Sequence, residues 1–273
     1  MRNVKIVQRM MKENPCYKAG RKIKVKGLML HSVGCPQPKA SVFIQSWNRA
    51  SFDRACVHAF IDGKDGIVYQ TLPWDYRGWH CGGDGNNGYI GVEMCEPDCI
   101  FYTSGTGFTC SDEAEARAVA ECTYASAVEL FAILCRMYEL DPMGEGVILS
   151  HKEGHARGIA TNHGDPEHLW NGLHMGYTMD GFRKAVKNLM RKKEKEEEKE
   201  AEKEKESKPY LVRVKIPDLN IRKGPGTNYP KTGKYTGVGT FTIVDEADGQ
   251  GASRWGKLKS GSGWISMDYV LRV

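Results

Sequence analysis

The stretch GVILSHKEGHARGIATNHGDPEHLW, residues 146 to 170, holds four of the chain's eight histidines: His151, His155, His163 and His168. Glu153 and Asp165 stand among them. Two folds compete for it. His151 and His155 are four residues apart, the spacing of the HExxH helix of zinc proteases. Here, however, the glutamate follows the first histidine by two, which on a helix turns Glu153 away from the pair. Gly154 also weakens a helix. The second reading takes GVILSH as a short strand that delivers His151 at its C-terminal end, with Asp165 following after a polar loop. That reading needs a sheet.

The sequence upstream supplies one. KGLMLHSV (26–33) reads as a strand, VFIQSWNRA (42–50) as a helix, and CVHAFID (56–62) with IVYQTLP (67–73) as a hairpin around GKDG. YIGVEMC (89–95) is another strand. Residues 112–140 form one long helix, with Ser111 as its expected N-cap and Pro142 beyond its end. TMDGFRKAVKNLM (178–190) is a last helix. The pattern predicts a mixed α/β domain with a central sheet flanked by helices.

Beyond it, RKKEKEEEKEAEKEKESK (191–208) has no apolar face and cannot bury a core. It is expected to continue the preceding helix as a semi-rigid tether that frays near Ser207. From residue 209 on, short β-rich runs alternate with Gly/Pro turns, which predicts a small all-β barrel. The expected layout is a domain at 1–188, a charged helical linker at 189–208 and a barrel at 209–273. The first two segments are charge-balanced, and the last has 10 basic and 5 acidic residues, so the formal +5 of the chain lies there. A basic unit on a tether suits a polyanionic surface.

Several classes are set aside. No uninterrupted apolar run approaches the ~20 residues of a membrane span. The basic N-terminus lacks the apolar region and cleavage site of a signal peptide, so synthesis in the cytoplasm is expected. The nine cysteines are odd in number and contain no CxxC, which predicts mostly reduced, partly buried thiols. The glycine-rich RGWHCGGDGNNGYIGVEM (77–94) lacks GxxxxGK[ST], which argues against nucleotide binding.

What remains is chemistry built on His, Asp and Glu. His31 ends the strand LMLHSVG, where strands feed loops and sites form. His31, His151 and Asp165 together make two imidazoles and one carboxylate, the donor set of a catalytic zinc with an open position. Glu93 is an acid inside the apolar frame YIGVEM and is expected to serve as a ligand or a general base. A competing reading makes Cys56 or Cys81 a nucleophile, since Cys56 and His58 lie two apart on one predicted strand.

LMLHSVG, VHAFIDGKDGIVYQTLP, GWHCG…NNGYIGVEM and LSHKEG…HGDPEHLW together resemble the zinc-dependent N-acetylmuramoyl-L-alanine amidases of the type 2 amidase superfamily, which includes phage endolysins and peptidoglycan recognition proteins. The resemblance covers about residues 20 to 190. LNIRKGPGTNYP…GWISMDYV resembles bacterial SH3-like domains, which commonly bind cell wall. The resemblance implies zinc held by His31, His151 and Asp165, with Glu93 as general base. It implies that His58 faces the site and that His80 lines the substrate groove. His163 stands where the family often has a lysine that steadies an oxyanion, and a protonated histidine there would act over a narrower pH range. HARGIATNHG reads as an insertion before Asp165. The implied function is hydrolysis of the bond between N-acetylmuramic acid and L-alanine by an endolysin that acts at the cell wall, reaches it through a holin-type pore and binds no nucleic acid. A non-catalytic recognition protein is the alternative, weakened because all three ligand positions are filled.

Overall fold

The computed structural model describes residues 4–207 and 209–273. In chain order the first part contains β1 (Ile6–Gln8), α1 (Pro15–Ala19), β2 (Gly27–Ser32), α2 (Ala40–Trp47), β3 (Ala59–Ile61), β4 (Val68–Gln70), β5 (Tyr89–Met94), β6 (Ile100–Tyr102), β7 (Phe108–Cys110), α3 (Glu113–Met137), β8 (Ile148–Ser150), α4 (His151–Ala156), α5 (Glu167–Gly172) and α6 (Met179–Ser207). Six strands form one mixed sheet in the order β1-β4-β3-β5-β2-β8. The expected hairpin is β3–β4, antiparallel, while β2 runs parallel to both β5 and β8.

Strand β2 is buried along its whole length, so its two faces serve different layers. Leu28 and Leu30 pack with Ile90, Val92 and Met94 of β5 against Leu130, Phe131 and Leu134 of α3. Alternation then sends Met29 and His31, and likewise Gly91 and Glu93, to the opposite face. His31 and Glu93 are register partners in this parallel pair, so both side chains emerge side by side at the strands' C-terminal ends. β8 extends the same parallel edge and hands the chain to α4 at His151. The sheet therefore collects His31, Glu93 and His151 at one end, the usual place for a site in such sheets.

Three expectations change. Helix α3 is capped by Asp112, whose side chain accepts the Glu115 N–H; Ser111 instead donates its hydroxyl to the Cys99 carbonyl. His151 is the first residue of α4 rather than a strand residue, because Ser150 and Glu153 form a reciprocal capping box. α3 is, among the described residues, the one helix long and apolar enough to cross a membrane, and 61% of its apolar window is buried inside the fold. Glu121 and Glu129 interrupt its apolar stretch, so no unbroken run reveals it.

The chain divides into two compact units, Met1–Lys193 and Glu194–Val273, and α6 passes from one to the other. The second unit contains β9 (Tyr210–Val214), β10 (Asn220–Arg222), β11 (Lys231–Tyr235), β12 (Gly239–Gly249), β13 (Ala252–Leu258), β14 (Trp264–Ser266) and β15 (Val270–Arg272). They form one sheet in the order β11-β10-β14-β13-β12-β9-β15 around Val212, Val214, Ile221, Ile243, Leu258 and Ile265. The GPGTNYP loop is held by Arg222, whose guanidinium donates to the carbonyls of Thr227 and Tyr229 at 3.1 and 2.8 Å.

Candidate functional site

Three side chains converge where the parallel strands end. His31 Nδ1 lies 3.0 Å from His151 Nδ1 and 3.3 Å from Asp165 Oδ2. His151 Nδ1 is 3.6 Å from Asp165 Oδ1. One ligand atom from each residue fits within a 4.8 Å span, and all three residues are buried. Burial works against charge on Asp165, yet the hydrogen bond and charge of His31, with His151, hold its carboxyl below the usual range. Burial and the neighbouring His31 push His151 down to about 4, so its imidazole is neutral and keeps a lone pair.

Glu93 is 9% exposed, and burial pushes its carboxyl up to about 8, with His31 pulling the other way. Its Oε2 is buried without a hydrogen-bond partner. Such an orphan oxygen is costly unless it meets something the protein itself does not provide. Glu93 lines a groove of about 450 Å³ together with His31, His151 and Asp165. A second cavity of about 460 Å³ adjoins it through Gly34, His163 and Asp165. Sharing these residues, the two cavities together offer room for an extended substrate.

The remaining candidates separate. His163 is exposed and lines both cavities; its Nδ1 lies 3.2 Å from His151 Nε2 and 3.1 Å from the Thr161 hydroxyl. If Nδ1 accepts there, the other ring nitrogen carries an N–H, so donation does not require a protonated ring. His80 lines the groove, but at 8% exposure it presents little surface, and its Nδ1 lies 3.0 Å from His31 Nε2. His58 is not brought to the groove. It is fully buried, its Nδ1 accepts the Gly91 N–H and its Nε2 lies 2.8 Å from the Tyr76 carbonyl. His58 holds three backbone segments together rather than facing solvent.

The thiol reading finds no support in this arrangement. Cys56 is fully buried and its thiol is pushed far up by Cys16 and by burial; both ring nitrogens of His58 are committed to backbone. Cys81 is on the groove wall, but its thiol is buried, is pushed up by desolvation and turns to the Asn86 side chain and the Ile159 carbonyl. None of the nine cysteines, all of them among the described residues, forms a disulfide. The protease-like pairing also dissolves: His155 is exposed and bonds the Ala160 carbonyl, while Glu153 turns to Arg183.

Sequence reading passed over two features. Glu96, three residues after Glu93, is fully buried and pushed up to about 7 by desolvation; it accepts from the Tyr102 hydroxyl at 2.7 Å and the Gly34 N–H at 3.1 Å. It braces the loop that follows β2. Trp79, 42% exposed, stands on the groove wall beside His80. The acid in MCEP was a visible signal, whereas nothing local distinguishes an exposed tryptophan from a core one.

The profile of the N-acetylmuramoyl-L-alanine amidase family, Amidase_2, matches residues 21–168, more than half the chain and all three members of the cluster. The chain belongs to this amidase family. Among solved structures, the amidase fold resembles the Staphylococcus aureus hydrolase AmiA in complex with its ligand, at 22% identity and TM-score 0.52, over 70% of this chain and 85% of that one. A mutant endolysin from Bacillus subtilis is 21% identical with TM-score 0.44, over 67% of this chain and 99% of that one. No curated protein matches the amidase sequence.

Proposed function

We propose that this amidase hydrolyses the amide bond between N-acetylmuramic acid and the first L-alanine of the peptidoglycan stem peptide, with zinc as cofactor. The observation that carries the reading is the pairing of a buried His31–His151–Asp165 cluster with the orphan oxygen of Glu93 in one groove. The donor chemistry fits zinc: two imidazoles and one ionised carboxylate leave an open position, which structural four-ligand sites do not. Bound there, zinc supplies a Lewis acid that polarises a carbonyl and acidifies water. Glu93, ionised when a cation occupies the cluster beside it, would take the proton of the attacking water. His163 donates a hydrogen bond as charge develops on the carbonyl oxygen. The groove beside Trp79 and His80 receives the substrate on either side of the scissile bond.

The wider reading is an endolysin with a catalytic domain at 1–188, a charged tether at 189–208 and an SH3-like wall-binding domain at 209–273. The basic balance of the last segment supports it, since an enzyme acting on small soluble fragments needs no wall anchor.

The test is digestion of purified walls by the full chain. New α-amino groups on alanine without new reducing sugar are expected, with loss of activity in chelator and recovery on adding zinc. New reducing ends would overturn the bond assignment. Activity that survives chelator but falls on thiol alkylation would overturn the zinc reading.

A further inference from the structure

The glycine-rich segment 80–91 supplies no ligand and no acid–base group in the chemistry proposed above, yet two hydrogen-bond relays join it to the two histidines of the cluster. The first begins at a carbonyl. His80 Nε2 lies 3.0 Å from the Tyr89 carbonyl, which only accepts, so that nitrogen carries the proton. In an imidazole with one ring proton, an Nε2–H leaves Nδ1 as a lone pair. That lone pair faces His31 Nε2 at 3.0 Å and requires an N–H there. His31 is left with Nδ1 as its basic atom, and Nδ1 is the atom aimed at Asp165 and His151.

The second relay runs through Thr161. Its hydroxyl donates to the Cys81 carbonyl at 3.2 Å, and its backbone N–H reaches the same carbonyl at 2.8 Å. The hydroxyl's lone pairs then face His151 Nε2 at 3.2 Å. The same nitrogen lies 3.2 Å from His163 Nδ1, and an Nε2–H shared between that lone pair and the Thr161 hydroxyl leaves the lone pair of His151 at Nδ1, on the cluster side. Both relays end on consecutive residues, His80 and Cys81. Asn86, fully buried, clamps that dipeptide by accepting from both backbone N–H groups at 2.8 and 3.2 Å.

The glycines make room for this arrangement. A Cβ on Gly91 would lie 2.3 Å from the His80 ring, and one on Gly82, at φ +68°, would lie 2.5 Å from the Thr161 methyl.

We propose that His80 and Thr161 are positioning residues for the metal. Held in one frame by Asn86, they present His31 and His151 with Nδ1 inward. The inference rests on the zinc reading above and gives the apparent insertion before Asp165 a purpose, since it carries Thr161. Outer partners of this kind set ring orientation and ligand basicity, and losing one weakens metal binding about 10- to 100-fold.

The test is zinc affinity of the full chain by competition with a chromophoric chelator. Thr161 is exposed, so Thr161→Val removes the hydroxyl at constant shape with little risk to folding. Thr161→Val is expected to weaken zinc binding about 10-fold or more, with the melting temperature of the metal-free chain unchanged, and Thr161→Ser to restore affinity to within about threefold. Long-range proton–nitrogen correlation on the zinc-loaded chain should place the remaining ring protons of His31 and His151 on Nε2. Unchanged affinity in Thr161→Val, or ring protons on Nδ1, would overturn the proposal. A wild-type chain that binds no zinc would instead sink the cofactor reading, and the relays with it.

Discussion

Glu93 and Glu96 show how alike two buried acids look in sequence and how differently they are placed. Glu96 has a full set of donors around it, while Glu93 keeps one oxygen without a partner in the groove. Glu93→Gln should therefore lower amidase turnover by about 10²- to 10⁴-fold, the range for a lost general base, while zinc affinity stays near wild type. A loss of zinc affinity in step with turnover would make Glu93 a ligand instead. Gly91→Ala puts a methyl group into the His80 ring, which must move, and zinc affinity should fall. Retained affinity, read by the same chelator competition, would show that the His80 ring is dispensable. The cluster was legible in part: His31 and His151 are polar residues at the ends of apolar runs, whereas Asp165 follows a polar loop. The roles of His58 and His80 were not, because sequence cannot say which ring nitrogen meets a carbonyl and which meets another ring.

At the scale of elements, the long β strands and helices were legible from alternation and helical period, and the short ones were not. β1 is three residues with mixed exposure, held only by parallel pairing to β4, and β6–β7 carries no alternation long enough to count. The junction between β8 and α4 was read as a strand end because a helix of six residues has too few turns for a period. Its stability comes from the cap. Ser150 Oγ accepts the Glu153 N–H at 3.1 Å and donates to Glu167 at 2.8 Å, while Glu153 returns a bond to the Ser150 N–H at 3.1 Å and pairs with Arg183 of α6. Ser150→Ala removes both side-chain bonds and leaves Glu167 without its donor. The expected cost is about 0.5–2 kcal/mol, read as a drop in melting temperature of about 2–4 °C per kcal/mol. Since the cap sets where α4 begins, and α4 begins with His151, an unchanged melting temperature would mean that the cap does not stabilise this junction.

For the whole molecule the question is what the second unit contributes, since the cluster and both cavities lie within the first. Catalysis on a soluble fragment should not need residues 209–273, whereas residence on an insoluble wall should. The unit has twice as many basic as acidic residues, and the acids Glu246 and Asp248 are already paired with Arg254. An anionic wall would thus meet a surface with cations to spare. If this excess drives docking, binding must weaken with salt, because the screening length falls from about 10 Å at 0.1 M to about 3 Å at 1 M. Pelleting with purified walls separates the cases. The full chain, and equally its Glu93→Gln variant, should pellet at low salt and be released progressively as salt rises. A chain ending at residue 208 should stay largely in the supernatant while still cleaving a soluble muropeptide. Pelleting that ignores salt but needs residues 209–273 would replace the electrostatic account with recognition of a neutral wall component. Pelleting undiminished by the deletion would remove the anchoring role altogether and leave binding to the groove of the first unit.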